Sequence, residues 1–347
     1  GIALRYQAFA AGQRQFAIAG TAAAGTAQMQ LPATDACLEV MTGAVLPEGT
    51  DTVIRYEDLD IQDGEATVLL DTLKQGQNIH RQAEDRQAGD LLLSSGKRIG
   101  AAEMGVLATI GKVEVQVQRH PRVMIISTGD ELVPVRETPL PHQVRRSNVH
   151  SVQAALLSIR VQADTLHLDD EYSLILEKMR AVVTDYDVVI LSGGVSKGKF
   201  DFLPAVLQEL QVEKLFHRVA QRPGKPFWFG RQAALDTVVF ALPGNPVSSF
   251  VGTHRYILPW LAACMEQQLP AAEYALLAAD FTFRPALTYF LQVRLSMNEQ
   301  AQILATPVTG NGSGDLANLA DAEALLELPA DRSDFQAGEV FPLIRFR

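Results

Sequence analysis

The chain has 347 residues, 47% of them hydrophobic and 20% charged, with a formal net charge of −10. That length exceeds one ordinary core and predicts two or three domains. The acidic balance excludes a general affinity for nucleic acid or an anionic membrane, while leaving room for a local basic cleft. Cys37 and Cys264 are the only cysteines and belong to no CxxC or Cys/His cluster, which argues against a disulfide scaffold or thiolate metal centre. No apolar run approaches the ~20 residues of a bilayer span, and no signal-peptide pattern opens the chain. A cytoplasmic protein is the expectation.

Residues 1–85 are written in short pieces separated by turn signals such as Pro47-Glu48-Gly49 and Asp63-Gly64. Alternating runs at Thr52–Arg55 and Ala66–Leu70 read as strands, so this region is expected to be a β-rich domain. Within a linker region at 86–119, Ala101–Ile110 carries helix formers and ends at Gly111, the pattern of a short helix with a C-terminal glycine. From residue 120 the pattern changes. Arg122–Ser127 is an uninterrupted apolar strand, followed by a helix over 147–159, a strand at Ala163–Leu168 and a helix at Asp170–Val183. A strand at Asp187–Leu191, a helix at Phe202–Leu210, a strand at Thr237–Leu242 and a long helix from Pro246 complete the run. Strands alternating with helices predict a doubly wound α/β domain over 120–268. Short strands and turns return after it, predicting a small C-terminal β domain over 269–347. The fold class is α/β multidomain.

Ligands of doubly wound sheets bind outside the carboxyl ends of the strands. Here three strand ends carry unusual sequences: STGDEL after 127, SGGVSKGKFD after 191 and LPGNPVS after 241. Glycines such as Gly193 and Gly194 let backbone N–H groups approach an anion. Asn245 is placed as an N-cap and Pro246 as the first helical residue, turning a helix N-terminus toward the same crevice. Ser196 is a further hydrogen-bonding candidate. Asp130, Glu131 and Asp201 are poor phosphate ligands but suit a hard cation such as Mg²⁺. Arg222 and Lys225, in a turn stiffened by Pro223 and Pro226, supply a basic partner. Taken singly, each motif has a plainer reading: Gly-Gly as a turn, Asp130-Glu131 as part of a capping box, Lys197 and Lys199 as a solvated rim. The glycine patterns match neither GxGxxG nor GxxxxGK[ST]. Their convergence on one sheet edge favours a site.

The segments MTGAVLPEG, GQNIHRQAEDRQAGD, STGDEL, SGGVSKGKFDF, RPGKPFWFG and LPGNPVSSF, in this order, resemble the signature segments of the molybdopterin molybdenumtransferases, to which the C-terminal region of gephyrin is related. The resemblance runs from residue 1 to about 268 and more weakly beyond. It implies an elongated homodimer whose substrates are adenylylated molybdopterin and molybdate, joined with Mg²⁺ and with release of AMP. By the same resemblance Thr42 and Asp85 line the cleft, and Asp130, Glu131 and Asp201 match the acidic positions. Asp85, Asp130 and Asp201 are the catalytic candidates, with Asp130, Glu131 and Asp201 as metal ligands. Arg222 and Lys225 match a basic pair, Pro243 and Pro246 a proline turn, and Ser313 a serine near the molybdate pocket.

The chain also departs from the family pattern. The resemblance implies an aspartate just before Gly1. It implies an Arg-x-[Asp/Glu]-Phe-x-Arg run where this chain has Leu287-Thr288-Tyr289-Phe290-Leu291-Gln292, and an aspartate where Arg146 stands. Two alternatives follow. One is molybdopterin adenylylation from ATP, which single-domain relatives of the α/β layer perform and which the flanking β domains oppose. The other is a divergent, non-catalytic dimeric scaffold, which the missing arginines favour and the retained Asp130, Asp201 and Lys225 oppose.

Overall fold

The computed structural model describes residues 1–194, 202–267, 271–308, 310, 312 and 314–347, and divides into two units, Gly1–Leu92 and Leu93–Arg347. In the first unit, six strands form one mixed sheet in the order Thr52–Ile54, Ile2–Leu4, Ala36–Val40, Gln15–Ala22, Glu65–Val68, Leu59–Gln62. Ile2, Leu4, Phe16, Cys37 and Ile54 are its fully buried centre. Burial pushes the Cys37 thiol up to about 11, so this cysteine is a small core hydrophobe and not a nucleophile.

In the second unit the helix Ala101–Thr109 comes first, with Gly111 beyond it at φ +72°, the left-handed conformation that terminates helices. The α/β sheet then has the order Ala163–Leu168, Val123–Thr128, Val188–Ser192, Thr237–Leu242, Trp228–Gln232, Glu213–His217. Its first four strands are parallel. The three inner parallel strands are buried at every residue, which is why they read as unbroken apolar runs. Alternate side chains feed two cores. Met124, Ile126, Val189, Leu191, Val239 and Ala241 pack on the face that meets the helices Tyr172–Asp185 and Leu203–Glu209. Val123, Ile125, Val188, Ile190, Val238 and Phe240 pack on the opposite face, against Asn148–Ser158 and the helical run from Pro246. This is the doubly wound layer that the sequence predicts.

Two features differ from the sequence reading. The sheet continues past Thr237–Leu242 through an antiparallel pair, Trp228–Gln232 and Glu213–His217, so it is mixed and not purely parallel. The long helix is α-helical over Pro246–Gly252 and Leu258–Cys264 with a π-helical turn at Thr253–Ile257 between them. Pro259 has no N–H for the carbonyl one turn back, and the wider turn takes up that break.

The C-terminal β layer contains Glu273–Leu277, Thr288–Met297, Ile303–Pro307, Ala324–Leu328 and Val340–Arg345. Thr288–Met297 pairs with both Ile303–Pro307 and Ala324–Leu328, closing these five strands into a small barrel around Leu291, Val293, Leu326 and Phe335. Gln221–Arg222 adds to this barrel beside Thr288–Tyr289, in parallel register. No described helix is long and apolar enough to cross a membrane.

Ile190 is fully buried at the middle of the α/β sheet. Ile190→Ala is expected to cost about 2–5 kcal/mol through lost burial plus the cavity left behind. Urea unfolding measures this; a loss below ~1 kcal/mol would contradict the central position assigned to this strand.

Candidate functional site

Strand order dictates where a ligand can enter the α/β layer. The chain leaves Val123–Thr128 for Ala163–Leu168 on one side and returns to Val188–Ser192 on the other, so the crevice opens at the carboxyl ends of Val123–Thr128 and Val188–Ser192. These ends are level: Ser192 is in register with Ser127 on one neighbour and Leu242 on the other. The three strand ends that open the sequence motifs therefore lie on one edge.

The turns there are built from close backbone approaches. Gly193 and Gly194 have φ of +99° and +70°. A Cβ on Gly194 would lie 2.3 Å from Leu203 Cδ1 and 2.9 Å from Thr128 Oγ1, so no side chain fits. The Gly193 N–H donates to Leu242 O at 3.1 Å, and Gly244 packs against Gly193, its built Cβ only 4.0 Å from the Gly193 Cα. Asn148, at the start of the helix Asn148–Ser158, locks the two loops together. Its Nδ2 donates to Ser192 Oγ at 3.0 Å and to Gly244 O at 2.8 Å. Asn245 occupies the N-cap position of the helix that begins at Pro246, as the sequence predicts, but its side chain makes no capping hydrogen bond; Pro243 is buried before it.

An acidic corner adjoins the crevice. Asp130 and Glu131 are exposed on the turn after Val123–Thr128, and Asp130 Oδ1 accepts from the Asp170 N–H at 3.0 Å. Burial, and then the charges of Asp130 and Glu131, hold the Asp170 carboxyl above the usual carboxylate range. Such crowding of oxygen donors suits a hard divalent cation, which would relieve the repulsion. Among the described residues no cluster of three metal-donor side chains is assembled. Asp201, the further acidic candidate, lies outside the described residues, as do Ser196 and Ser313.

On the other side of the Pro243–Pro246 turn is a cleft of about 700 Å³ between the α/β layer and the C-terminal barrel. Arg222, Lys225 and Asn245 line it, as do Gly310 and Gly312. Gly224, at φ +91°, lets the Arg222–Lys225 turn fold tightly: a Cβ there would lie 2.9 Å from Gln221 Nε2 and 3.5 Å from Ser248 O. The Arg222 guanidinium lies 6.0 Å from the Phe283 ring centroid. Neither Arg222 nor Lys225 forms an ion pair with a carboxylate among the described residues. Leu287, Tyr289 and Gln292, from the segment that departs from the family pattern, face the same space, together with Arg284.

Thr42 and Asp85 belong to the first unit. Thr42 is exposed on the turn after Ala36–Val40, and Asp85 is exposed with its Oδ2 3.2 Å from His80 Nε2. No hydrogen bond joins the two residues among those described. Sequence reasoning missed Asn148, Asp170 and Arg284. Asn148 and Asp170 carried a weak signal, as polar residues at the starts of predicted helices; Arg284 carried none.

Two measurements check this geometry. Asn148→Ala removes the donor shared by two loops and is expected to cost about 1–3 kcal/mol. Asn148→Asp, which turns a donor into an acceptor facing Gly244 O, is expected to be the worse variant in urea unfolding. Asp130→Asn removes a negative neighbour, so the Asp170 carboxyl should titrate at lower pH than in the parent protein. Carbon-detected NMR titration reads this directly, and an unmoved Asp170 would show that the acidic corner is not electrostatically coupled.

Comparison with known proteins agrees with this layout. Residues 1–111 match the MoeA N-terminal region (domain I and II), residues 124–263 a probable molybdopterin binding domain, and residues 274–346 the MoeA C-terminal region (domain IV). The chain is 43% identical over 344 residues to the molybdopterin molybdenumtransferase of Synechocystis sp., covering 99% of this chain and 86% of that protein. It is 34% identical over 323 residues to the molybdopterin molybdenumtransferase of Bacillus subtilis, covering 89% and 73% respectively. The crystal structure of the molybdopterin biosynthesis moea protein from Pyrococcus horikosii superimposes with a TM-score of 0.80 at 26% identity, over 100% of this chain and 86% of that one. By these three family matches and by its 43% identity to a curated relative, the chain belongs to the molybdopterin molybdenumtransferases, a family of enzymes.

Proposed function

We propose that the protein inserts molybdate into adenylylated molybdopterin, releasing AMP and forming molybdenum cofactor, as a Mg²⁺-dependent cytoplasmic homodimer. One observation carries the reading. On a chain of net charge −10, Arg222 and Lys225 line a cleft without a carboxylate partner among the described residues, beside a backbone turn that also faces the crevice of the sheet. Unpaired cations in a concave site attract an oxyanion, and a dianion such as molybdate gains charge-assisted hydrogen bonds from both.

The division of labour follows from the chemistry of each part. The N–H groups around Gly193 and Gly194, with Ser196, receive phosphate oxygens of the adenylate, because glycine alone allows ligand and backbone so close. Pro243, Asn245 and Pro246 form the wall shared by crevice and cleft, and hold the pterin-phosphate end near the oxyanion. Arg222, Lys225 and Ser313 bind molybdate. Asp130 and Glu131, with Asp201, would hold Mg²⁺, which when bound neutralises charge developing on the phosphate. In the first unit, Asp85 is the proposed orienting carboxylate and Thr42 a proposed substrate contact. The protein's own part is mainly to place two anions together, which water would keep apart.

The test is an in vitro assay with adenylylated molybdopterin, molybdate and Mg²⁺, following AMP release and cofactor formation. The parent protein should turn over. Lys225→Ala should lose at least about tenfold in molybdate-dependent rate, since one charge-assisted contact is worth ~1.5–3 kcal/mol, with its thermal stability unchanged because the side chain is exposed. Adenylate formation from ATP and molybdopterin, without molybdate-dependent AMP release, would replace this reading with adenylyl transfer.

A further inference from the structure

The resemblance implies two arginines and one acid across the segment that here reads Leu287–Gln292, a net positive charge that this segment does not carry. Leu287, Tyr289 and Gln292 nevertheless line the cleft that holds Arg222 and Lys225, so the charge is missing from the wall of the site itself. A further cation lines the same cleft. Arg284, exposed on the turn that precedes this segment, faces it from the barrel side.

We propose that Arg284 is an oxyanion-binding residue of this cleft, supplying from a neighbouring turn the positive charge that Leu287–Gln292 lacks. The inference rests on the function proposed above and adds to it a further molybdate contact.

Three observations support it. First, Arg284 forms no ion pair with a carboxylate among the described residues. Its charge contributes to lowering the Asp334 carboxyl, but less than the Ser333 and Thr282 hydroxyls do. The guanidinium therefore keeps donors for a ligand.

Second, its backbone is anchored on both sides. Phe283 stacks on Tyr289 with ring centroids 4.2 Å apart and 14° between planes, and Phe281 stacks beside the same tyrosine at 5.6 Å and 6°. The Phe283 N–H donates to Ser333 O at 2.8 Å, Thr282 pairs with Asp334, and Leu287 N–H donates to Pro285 O at 2.8 Å. A cation on a fixed turn loses less freedom on binding than one on a loose loop.

Third, the replacement of the family's acid by Tyr289 makes physical sense in the same scheme. A carboxylate there would compete with the oxyanion for Arg222. An aromatic ring instead stacks on Phe283, the ring over which Arg222 lies. The site gives up an arginine–acid–arginine arrangement and keeps free cations.

Calorimetric titration of the full chain with sodium molybdate tests this, using the parent, Arg284→Ala, Arg284→Lys and Lys225→Ala proteins. Molybdate affinity should fall about tenfold or more in Arg284→Ala, the loss of one charge-assisted contact. Arg284→Lys should restore part of it, while affinity for adenylylated molybdopterin and the melting temperature stay at parent values. Parent-like molybdate affinity in Arg284→Ala, alongside weakened binding in Lys225→Ala, would overturn the role of Arg284 and leave the proposed function standing. Absence of molybdate binding by the parent protein, alone and with adenylylated molybdopterin bound, would overturn both.

Discussion

The cleft depends on one short crossing. The chain leaves Glu213–His217 at the edge of the α/β sheet, pairs for two residues with the C-terminal barrel through Gln221–Arg222, and returns to the sheet at Trp228. Two residues of parallel pairing are weak on their own, and the support comes from Gln221. This side chain is buried, donates through Nε2 to Pro223 O at 2.9 Å and accepts from the Tyr256 hydroxyl, while Thr288 N–H donates to Ala220 O at 3.0 Å. Each such bond contributes only about 0.5–1.5 kcal/mol net, yet a buried amide left unpaired costs more, so the crossing has little freedom to rearrange. Arg222 is thereby tied to the barrel. Lys225 stands on the return limb, whose O accepts from Val219 N–H at 3.0 Å.

The α/β layer was legible because burial on both faces writes itself into sequence. Val188–Ser192 and Thr237–Leu242 have no water-facing residue, so their apolar runs are continuous. The antiparallel extension was not legible. Glu213–His217 is exposed at every position and shows no period, and its partner is interrupted by Gly230. That glycine is a packing requirement, since a Cβ would lie 2.4 Å from both Glu213 O and the Trp228 ring, but in sequence it reads as a break. A correct α/β assignment therefore coexisted with two unseen strands.

The same contrast governs the site. The glycine and proline turns could be read because their requirements are local: positive φ at Gly193 and Gly194, a helix start at Pro246. Asn148 could not be assigned, because its meaning lies in partners 44 and 96 positions away. Asp170 meets Asp130 across 40 residues, and Arg284 shares a wall with Arg222 only because the barrel lies against the α/β layer. Sequence motifs reveal what a backbone turn needs; they do not reveal which distant side chain will complete it.

Keeping opposite charges apart is the remaining requirement, and the fold meets it with uncharged backbone. Asp130, Glu131 and Asp170 gather at the tips of two strands, while Arg222, Lys225 and Arg284 line the cleft, and no ion pair joins the two groups among the described residues. Direct pairing would gain little at an exposed site, on the order of 0–1 kcal/mol, and would fill the donors and acceptors a ligand needs. The turn Pro243-Gly244-Asn245-Pro246, which reaches the cation-lined cleft through Asn245, carries no charged side chain to neutralise it. The carboxylates at the acidic corner repel one another, which costs some stability in the free protein. The elevated Asp170 carboxyl is that repulsion made visible, after burial. A ligand's associated cation would relieve the acidic corner while its anionic end met the unpaired cations of the cleft, so part of the binding energy would come from repulsion already present among the carboxylates.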